Sequence, residues 1–269
     1  MKPDKIKKII EERVVGKIKS DHTPEGHAYL LTSGTRVASV TTKLGACISK
    51  PHLIPWALRL AIEYLDPLYI NGLITPENKI SHHKIASTRY TAERDAAGFW
   101  GHSAHSFIEQ YLTAEINGTE KPTIPGNNPP VCAAIRSFLK FMAENNIVPI
   151  ASELLVGSEK LRCAGTLDFI CLMDGKLTLI DFKTSNAPDT SGRYSMQLIA
   201  YKKMFEEMTG LRIKQGKILM LSKKDDNFSI WDVKDTSNTL CAFKSVSKLY
   251  DWLNNGQEKI SNKKDKIIL

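Results

Sequence analysis

Two apolar segments joined by a short turn constrain the fold of this chain more than any other feature. Residues 165–185 read GTLDFICLMDGKLTLIDFKTS, and Asp174–Gly175, a pair typical of β-hairpin turns, separates the two apolar runs. Side chains alternate between the two faces of a strand, so pairing across this turn would bring Asp168 and Asp181 to one face of a sheet. Lys183 would lie on the same face as Asp181. The hairpin therefore predicts two carboxylates and an amine in or beside a sheet core.

The first strand of this hairpin is predicted to have one polar and one apolar face. Arg162, Thr166 and Asp168 share the predicted polar face. The predicted apolar face consists of Leu161, Cys163, Leu167, Phe169 and Cys171. This alternation favours a strand that is buried on one side.

The spacing of apolar residues predicts helices in the first half of the chain and a mixture of strands and helices in the second half. Helices are predicted over residues 51–66, 92–116, 131–145, 193–209 and 237–254. Strands are predicted over residues 150–157, 161–173, 176–184, 217–223 and 228–233. Residues 29–45 alternate like strand or extended chain around a glycine turn, and residues 70–90 are predicted to be a basic loop.

The order of these elements predicts an α/β fold, in which a mixed β-sheet core is flanked by helices and preceded by a helical half. We expect one domain over residues 1–269, with a mainly helical part (1–148), an α/β core (149–255) and a basic tail (256–269). There is no run of eighteen apolar residues, so we expect no membrane span. The first fifteen residues lack the apolar region of a signal peptide, so a cytoplasmic location is expected.

The charge of the chain favours a polyanionic partner. Lys and Arg number 37 against 29 Asp and Glu, which gives a net charge of +8. Such an excess is typical of nucleic-acid-binding proteins, although each basic cluster taken alone could be a solvated surface. The five cysteines form no CxxC pair, so neither a disulfide framework nor a zinc ribbon is expected.

The paired carboxylates predict a divalent cation site. Two half-buried carboxylates repel each other, which raises a pKa or favours a bound cation. Oxygen ligands suit Mg²⁺ or Mn²⁺, and a nearby lysine could orient a water molecule or stabilise developing charge. The alternative is a buried ion pair between Asp181 and Lys183 with no catalytic role.

A helix after the hairpin carries two further candidates. Gln197 and Tyr201 lie one turn apart on one face of the predicted helix 193–209. Tyr201 also belongs to an apolar stripe, so packing is an alternative explanation for that residue.

The segments AGTLDFI, LTLIDFKTS and QLIAY resemble the RecB-like branch of the PD-(D/E)XK nucleases. The resemblance implies a restriction-endonuclease-like fold and a metal-dependent phosphodiesterase site. It also implies a metal-ligating histidine on an upstream G-x-x-x-H helix, here Gly101 and His105, although His102 replaces the usual threonine. The implied catalytic residues are Lys183, Asp181, Asp168, Gln197 and Tyr201. The implied metal ligands are His105, Asp168, Asp181, the carbonyl of Phe182, and Glu153. Glu153 could instead contact the ligands without binding the metal itself.

Residues near the hairpin are predicted to contact nucleic acid. Arg162 could touch a phosphate because it shares the predicted face of Asp168. Thr184 and Ser185 could donate hydrogen bonds to the DNA backbone, with strand-end capping as the alternative.

The segment ASVTTKLGACISKPHLIPWA resembles the start of phage exonucleases and of the mitochondrial genome maintenance exonuclease. The resemblance implies an exonuclease in DNA recombination or repair, with Mg²⁺ as cofactor and Mn²⁺ able to substitute. It also suggests a phage or bacterial source, a recombination or replication protein as partner, and single-stranded DNA ends as the favoured substrate. Only Cys241 lies near the C-terminus, so no iron–sulfur cluster is expected. The remaining alternatives are a structure- or site-specific DNA endonuclease and a catalytically inactive DNA-binding protein.

Overall fold

A computed structural model of the protein describes residues 1–23, 26–185, 191–234 and 237–256. Within these ranges, helices dominate the N-terminal half and a five-stranded sheet forms the centre of the C-terminal half. The elements are α1 (Pro3–Arg13), β1 (Lys19–Thr23), β2 (Gly26–Leu30), β3 (Arg36–Val37), α2 (Val40–Cys47), α3 (Leu53–Ile70), α4 (Lys79–Asn117), α5 (Pro129–Glu144), β4 (Ile147–Ser158), β5 (Cys163–Met173), β6 (Lys176–Lys183), α6 (Arg193–Thr209), β7 (Gln215–Leu221), β8 (Phe228–Asp232) and α7 (Ser237–Asp251), followed by a π-helical turn (Trp252–Gly256).

The central sheet is mixed, with the strand order β4-β5-β6-β7-β8. Neighbouring strands are antiparallel except β6 and β7, which run parallel and are connected through α6. The predicted Asp174–Gly175 turn joins β5 to β6, and both of its residues have positive φ, as two-residue hairpin turns require. The predicted fold class, a mixed α/β core with a helical N-terminal half, is confirmed.

Helices cover both faces of the sheet. On one face, an apolar cluster joins the sheet to α1, α6 and α7; on the other, a second cluster joins it to α4 and α5. The prediction of a single apolar face on β5 is therefore wrong. Cys163 and Leu167 pack into the α6 cluster, whereas Phe169 and Cys171 pack against the α5 side. A central strand covered on both faces is buried nearly throughout, and simple alternation is lost.

The segment predicted as extended around residue 40 is a helix in its second half. α2 begins after Ser39, whose hydroxyl oxygen accepts a hydrogen bond from the backbone N–H of Thr42 at 2.8 Å. Val40 and Leu44, one turn apart, are both buried. The N-terminal cap and this i,i+4 pair favour helix over strand here. In the first half of that segment the prediction holds, because the end of β2 and β3 flank a turn that contains Gly34; β1, which the residue pattern does not predict, completes a small antiparallel sheet.

The predicted loop over residues 70–90 is also wrong. α3 continues through Pro67 to Ile70, and α4 begins at Lys79, so the connection is much shorter. The two helices contact each other along their length. Tyr64 hydrogen-bonds His82 (2.9 Å) and Tyr69 hydrogen-bonds His83 (2.8 Å), while the rings of Trp56 and Tyr90 meet edge to face. These interhelical contacts stabilise a polar helical segment that has little apolar periodicity of its own.

Apart from the start of α4, which lies at Lys79 and not at residue 92, the ends of the other predicted elements agree with the structure to within four residues. The predicted basic tail, residues 256–269, lies outside the described residues apart from Gly256. Over the described ranges, the chain contains no helix long and apolar enough to cross a membrane.

Candidate active site

Asp168 and Asp181 meet where the β5–β6 hairpin opens. The pairing of Phe169 with Ile180 is the last in the ladder, and the same register places the two aspartates opposite each other. The backbone N–H of Phe182 donates a hydrogen bond to Asp168 Oδ2 at 2.7 Å. Asp181 is 1% exposed. The hairpin therefore brings the two carboxylates together, one held by the backbone of the neighbouring strand.

Lys183 forms an ion pair with Asp181 at the end of β6. Burial lowers the pKa of the Lys183 amine, but Asp181 and Asp168 outweigh that effect, so the net pKa is raised and the amine stays charged. Lys183 Nζ also lies 5.1 Å from the centre of the Tyr194 ring. Burial raises the pKa of Asp181 to about 6, against the opposing effect of Lys183. Burial likewise raises the pKa of Asp168.

The helix that follows the hairpin supports these carboxylates. Gln197 Nε2 donates a hydrogen bond to Asp181 Oδ1 at 2.9 Å. Tyr201, one turn on, is 3% exposed and belongs to the core cluster around α6. A Cβ at Gly165 would stand 2.9 Å from Tyr201 Cε1, so the glycine of the G-T-L-D segment gives the tyrosine ring room against β5. Packing accounts for part of the role of Tyr201.

His105, Glu153 and Asp168 form a cluster suited to a metal ion. Each can offer one ligand atom, and these three atoms lie within 4.8 Å of one another. Burial and the nearby charge of Lys183 lower the pKa of His105 to about 4, so its imidazole is neutral, as metal ligation requires. The His105 ring also hydrogen-bonds the backbone of Phe182.

Glu153 is the most perturbed carboxylate of the cluster. Burial, followed by the charges of Asp168, Glu109 and Asp181, raises its pKa to about 8. Its backbone has a φ of 47°, a left-handed conformation that is uncommon for glutamate in a strand. Strained backbone of this kind concentrates at functional sites. The carboxyl group is thus held among other carboxylates at an energetic cost.

A pocket of about 670 Å³ opens over this cluster. Its walls come from β2, α4, α6 and the central sheet, together with Ser39 and Thr41 at the start of α2. Ser39 and Thr41 lie within ASVTTKLG, a segment that resembles exonucleases but for which the sequence predicts no role in the site. No sequence feature indicates Tyr29 as a site residue; it reaches the pocket from β2 of the small N-terminal sheet. The lining residues are Tyr29, Ser39, Thr41, Gly101, His102, His105, Ser106, Glu109, Glu153, Thr166, Asp168, Lys183, Gln197 and Tyr201.

The three predicted nucleic-acid contacts are placed differently. Arg162 lies outside the pocket lining, because β5 begins one residue later; its side chain is 63% exposed and its Nε lies 3.7 Å from Asp251 Oδ2. Thr184 lies against α4, with Oγ1 2.9 Å from the position that a Cβ at Gly101 would occupy. Ser185 accepts a hydrogen bond from the hydroxyl of Tyr194 at 3.3 Å. The structure thus groups Thr184 and Ser185 near Lys183 but separates Arg162 from them.

The residues present fit a divalent cation. Asp181 Oδ2 is buried and, apart from the ion pair with Lys183, has no hydrogen-bond partner among the described residues. The Lys183 ammonium is one positive partner of this oxygen, and the surrounding carboxylates of Asp168 and Glu153, whose pKa values are raised, favour a second cation. A set of carboxylates with one neutral imidazole is the ligand chemistry of such cations.

Comparison with known proteins assigns the family. The sequence pattern of the PD-(D/E)XK nuclease superfamily matches residues 83–254, more than half of the chain, and this range contains His105, Asp168, Asp181 and Lys183. The chain therefore belongs to the PD-(D/E)XK nuclease superfamily, whose nucleases use divalent metals.

Other comparisons add little. No curated protein sequence gives a significant match. One similar solved structure, described as "Crystal structure of SSO0001", has 16% sequence identity and a TM-score of 0.30. The alignment covers 45% of this chain and 58% of that one. A likeness at this level carries no argument about function.

Proposed function

We propose that this protein is a divalent-metal-dependent exonuclease of the RecB-like branch that hydrolyses DNA from single-stranded ends. The observation that carries the proposal is the convergence of His105, Glu153 and Asp168, with the Asp181–Lys183 ion pair beside them, at the base of one pocket. Each of these residues sits on a different element or strand position of a nuclease fold.

The metal ligands in this proposal are His105, Glu153 and Asp168, with Asp181 Oδ2 and the Phe182 carbonyl alongside. A bound Mg²⁺, or Mn²⁺ in its place, would activate water and offset the charge of the phosphate. Protonated Glu153 must release its proton for ligation, and its pKa of about 8 makes that release dependent on pH.

The chain's own side chains supply position and charge. Lys183 stays protonated and lies beside the carboxylates, where its ammonium stabilises negative charge developing on the phosphate oxygens. Gln197 fixes the orientation of Asp181 through the 2.9 Å hydrogen bond. Thr41 lines the same pocket, and its exposed hydroxyl can donate to a phosphate oxygen, whereas the Ser39 hydroxyl donates to Thr42 Oγ1 at 2.7 Å.

The dimensions and charge of the protein support single-stranded DNA as the substrate. A pocket of about 670 Å³ is comparable to sites for drug-sized ligands, which corresponds to a nucleotide or two rather than a duplex. The net charge of +8 favours a polyanion held by backbone contacts.

A cleavage assay tests the proposal directly. Purified protein is incubated with Mg²⁺ or with EDTA, using 5′- and 3′-labelled linear single strands, linear duplex and circular single-stranded DNA. We expect metal-dependent mononucleotide or short-oligonucleotide release from the linear single strand and an intact circle. Cutting of the circle would instead indicate an endonuclease on the same site, and binding without cleavage in either metal would indicate an inactive DNA-binding protein.

A further inference from the structure

A pair of cations lies between α2 and α6, outside the residues assigned above. Arg193 is the first residue of α6, and its Nη2 lies 3.7 Å from the position of a Cβ on Gly45 in α2. Lys50 follows the end of α2 by three residues. Lys50 is exposed at the surface; partial burial and the charge of Arg193 lower the pKa of its amine, so the two cations are close enough to repel each other.

This positive charge is not neutralised within the described part of the chain. Neither Lys50 nor Arg193 forms a salt bridge with a described carboxylate. Arg193 Nε is buried and has no hydrogen-bond acceptor among those residues. A buried donor without an acceptor is costly, and an anion beside Arg193 would supply that acceptor and reduce the repulsion between the two cations.

The adjoining helix end adds to the same field. α6 has 17 residues, and Gly192 at its N-cap provides no side-chain hydrogen bond to the first turn. The amino end of such a helix carries partial positive charge and presents backbone N–H groups to an anion. The guanidinium of Arg193 adds a planar pair of donors that matches two phosphate oxygens.

We infer that Lys50 and Arg193 form a subsite for a phosphate group of the DNA substrate, beside the phosphate that is cleaved. This inference rests on the proposed nuclease function. Arg193 lies four residues before Gln197, or about 6 Å along the helix at 1.5 Å per residue. That distance corresponds to one or two nucleotides at about 3.4 Å per stacked nucleotide. Ser39 and Thr41 at the other end of α2 line the catalytic pocket, so α2 and α6 both connect the two sites.

DNA binding in EDTA tests the subsite without requiring cleavage. The dissociation constant of a labelled single-stranded oligonucleotide is measured at several salt concentrations for wild type, Arg193→Ala, Arg193→Lys and Lys50→Ala. We expect Arg193→Ala to weaken binding about tenfold or more and Arg193→Lys to weaken it less. Each alanine variant should also lower the slope of log affinity against log salt by about one.

Lys176→Ala is the matched control, because Lys176 is an exposed cation at the first position of β6, at the opposite end of that strand from Lys183. It should change affinity less than twofold. Circular dichroism of each variant establishes that it is folded, and Arg193→Lys retains the charge if the alanine variant is unstable. Wild-type affinity and salt slope in both Arg193→Ala and Lys50→Ala would overturn the inference.

The source of the phosphate is separated by comparing oligonucleotides with a 5′-phosphate, a 5′-hydroxyl and a 3′-phosphate. If the substitutions reduce affinity equally for all three oligonucleotides, the subsite binds a backbone phosphodiester. If they reduce affinity for only one of the phosphorylated ends, it binds a terminal phosphate. Both outcomes support the subsite. If the alanine variants bind DNA more weakly than wild type but wild type never cleaves it, the proposed nuclease function is defeated and the phosphate subsite is still supported.

Discussion

The side-chain amide of Gln197 donates a hydrogen bond to Asp181 Oδ1 at 2.9 Å, across the junction between β6 and α6. Asp181 is buried, its other oxygen faces Lys183, and no third group among the described residues satisfies that oxygen. The Gln197 amide on one oxygen and the Lys183 ammonium on the other therefore hold the orientation of this carboxylate. This contact gives Gln197 a role in the site, whereas Tyr201, one turn further along α6, packs in the core cluster.

Gln197→Ala should lower kcat about 10- to 100-fold, because Asp181 loses the donor that fixes its position. An unsatisfied buried acceptor costs about 1–3 kcal/mol, so the thermal midpoint should also fall. Steady-state cleavage kinetics and thermal unfolding measure the two effects. Gln110→Ala is the matched control, since Gln110 is exposed and its side chain donates a long hydrogen bond, 3.4 Å, to Ser106 Oγ. Wild-type kcat in Gln197→Ala would show that the hydrogen bond is dispensable.

Lys183→Met and Asp181→Asn should each abolish cleavage while binding of single-stranded DNA persists. Lys183→Met leaves Asp181 as an unpaired buried charge, which costs about 3–5 kcal/mol. Asp181→Asn removes a charge that repels Asp168, so its destabilisation should be smaller. Chemical denaturation should find the double variant more stable than Lys183→Met alone. Cleavage near the wild-type rate in Mg²⁺ by either single variant would remove this pair from the mechanism.

Glu153 should make the metal-free protein less stable as pH rises from about 4.5 to about 8. Glu153 has a folded-state pKa of about 8 and an ordinary value of 4.5, so the folded state binds more protons in that window. The contribution of Glu153 to the free energy of unfolding therefore decreases across this pH window, by about 3 kcal/mol once solvent screening is taken into account. His105 acts in the opposite direction between about pH 6.5 and pH 4. Its pKa in the folded state is lowered to about 4, so the unfolded state binds more protons there and the free energy of unfolding decreases as pH falls.

Thermal unfolding in EDTA across this pH range, with Glu153→Gln as comparison, isolates the contribution of Glu153. The variant should show a flatter decline of stability above pH 5. Added Mn²⁺ should stabilise wild type more at pH 8 than at pH 6, since ligation requires the ionised carboxylate. Identical pH profiles for wild type and variant would contradict the raised pKa.

Gly101→Ala should reduce activity about tenfold or more by displacing α4, which carries His105. The added Cβ would stand 2.9 Å from Thr184 Oγ1, closer than such contacts occur. The clash is absent when Thr184 is also replaced by alanine. Gly101→Ala should therefore reduce activity much less in the Thr184→Ala background than in the wild-type protein. Gly98→Ala is the control on the same helix: beyond the neighbouring residues and backbone of α4 itself, no described atom lies within 4 Å of the added Cβ, and alanine there should stabilise the helix by about 0.5–1 kcal/mol. Activity assays on the four variants decide the matter, and equal effects at the two glycines would refute the argument.

The candidate site was predictable where its geometry is local. The Asp174–Gly175 turn sets the register of the hairpin, so the approach of Asp168 and Asp181 follows from their equal distance from the turn. Helical spacing likewise predicts that Gln197 and Tyr201 lie one turn apart on α6. These relations span few residues and depend on turn chemistry and backbone periodicity.

Other parts of the site depend on contacts between distant segments. Tyr29 and the α2 wall join the pocket through the packing of the N-terminal half on the sheet, and Arg193 meets Gly45 across almost 150 residues. The helical state of residues 79–90 depends on contacts with α3, and β5 is buried on both faces because helices cover both sides of the sheet. Short-range periodicity carries the hairpin and the helix faces. Which elements pack together is a balance of burial over the whole chain, and only the folded structure records it.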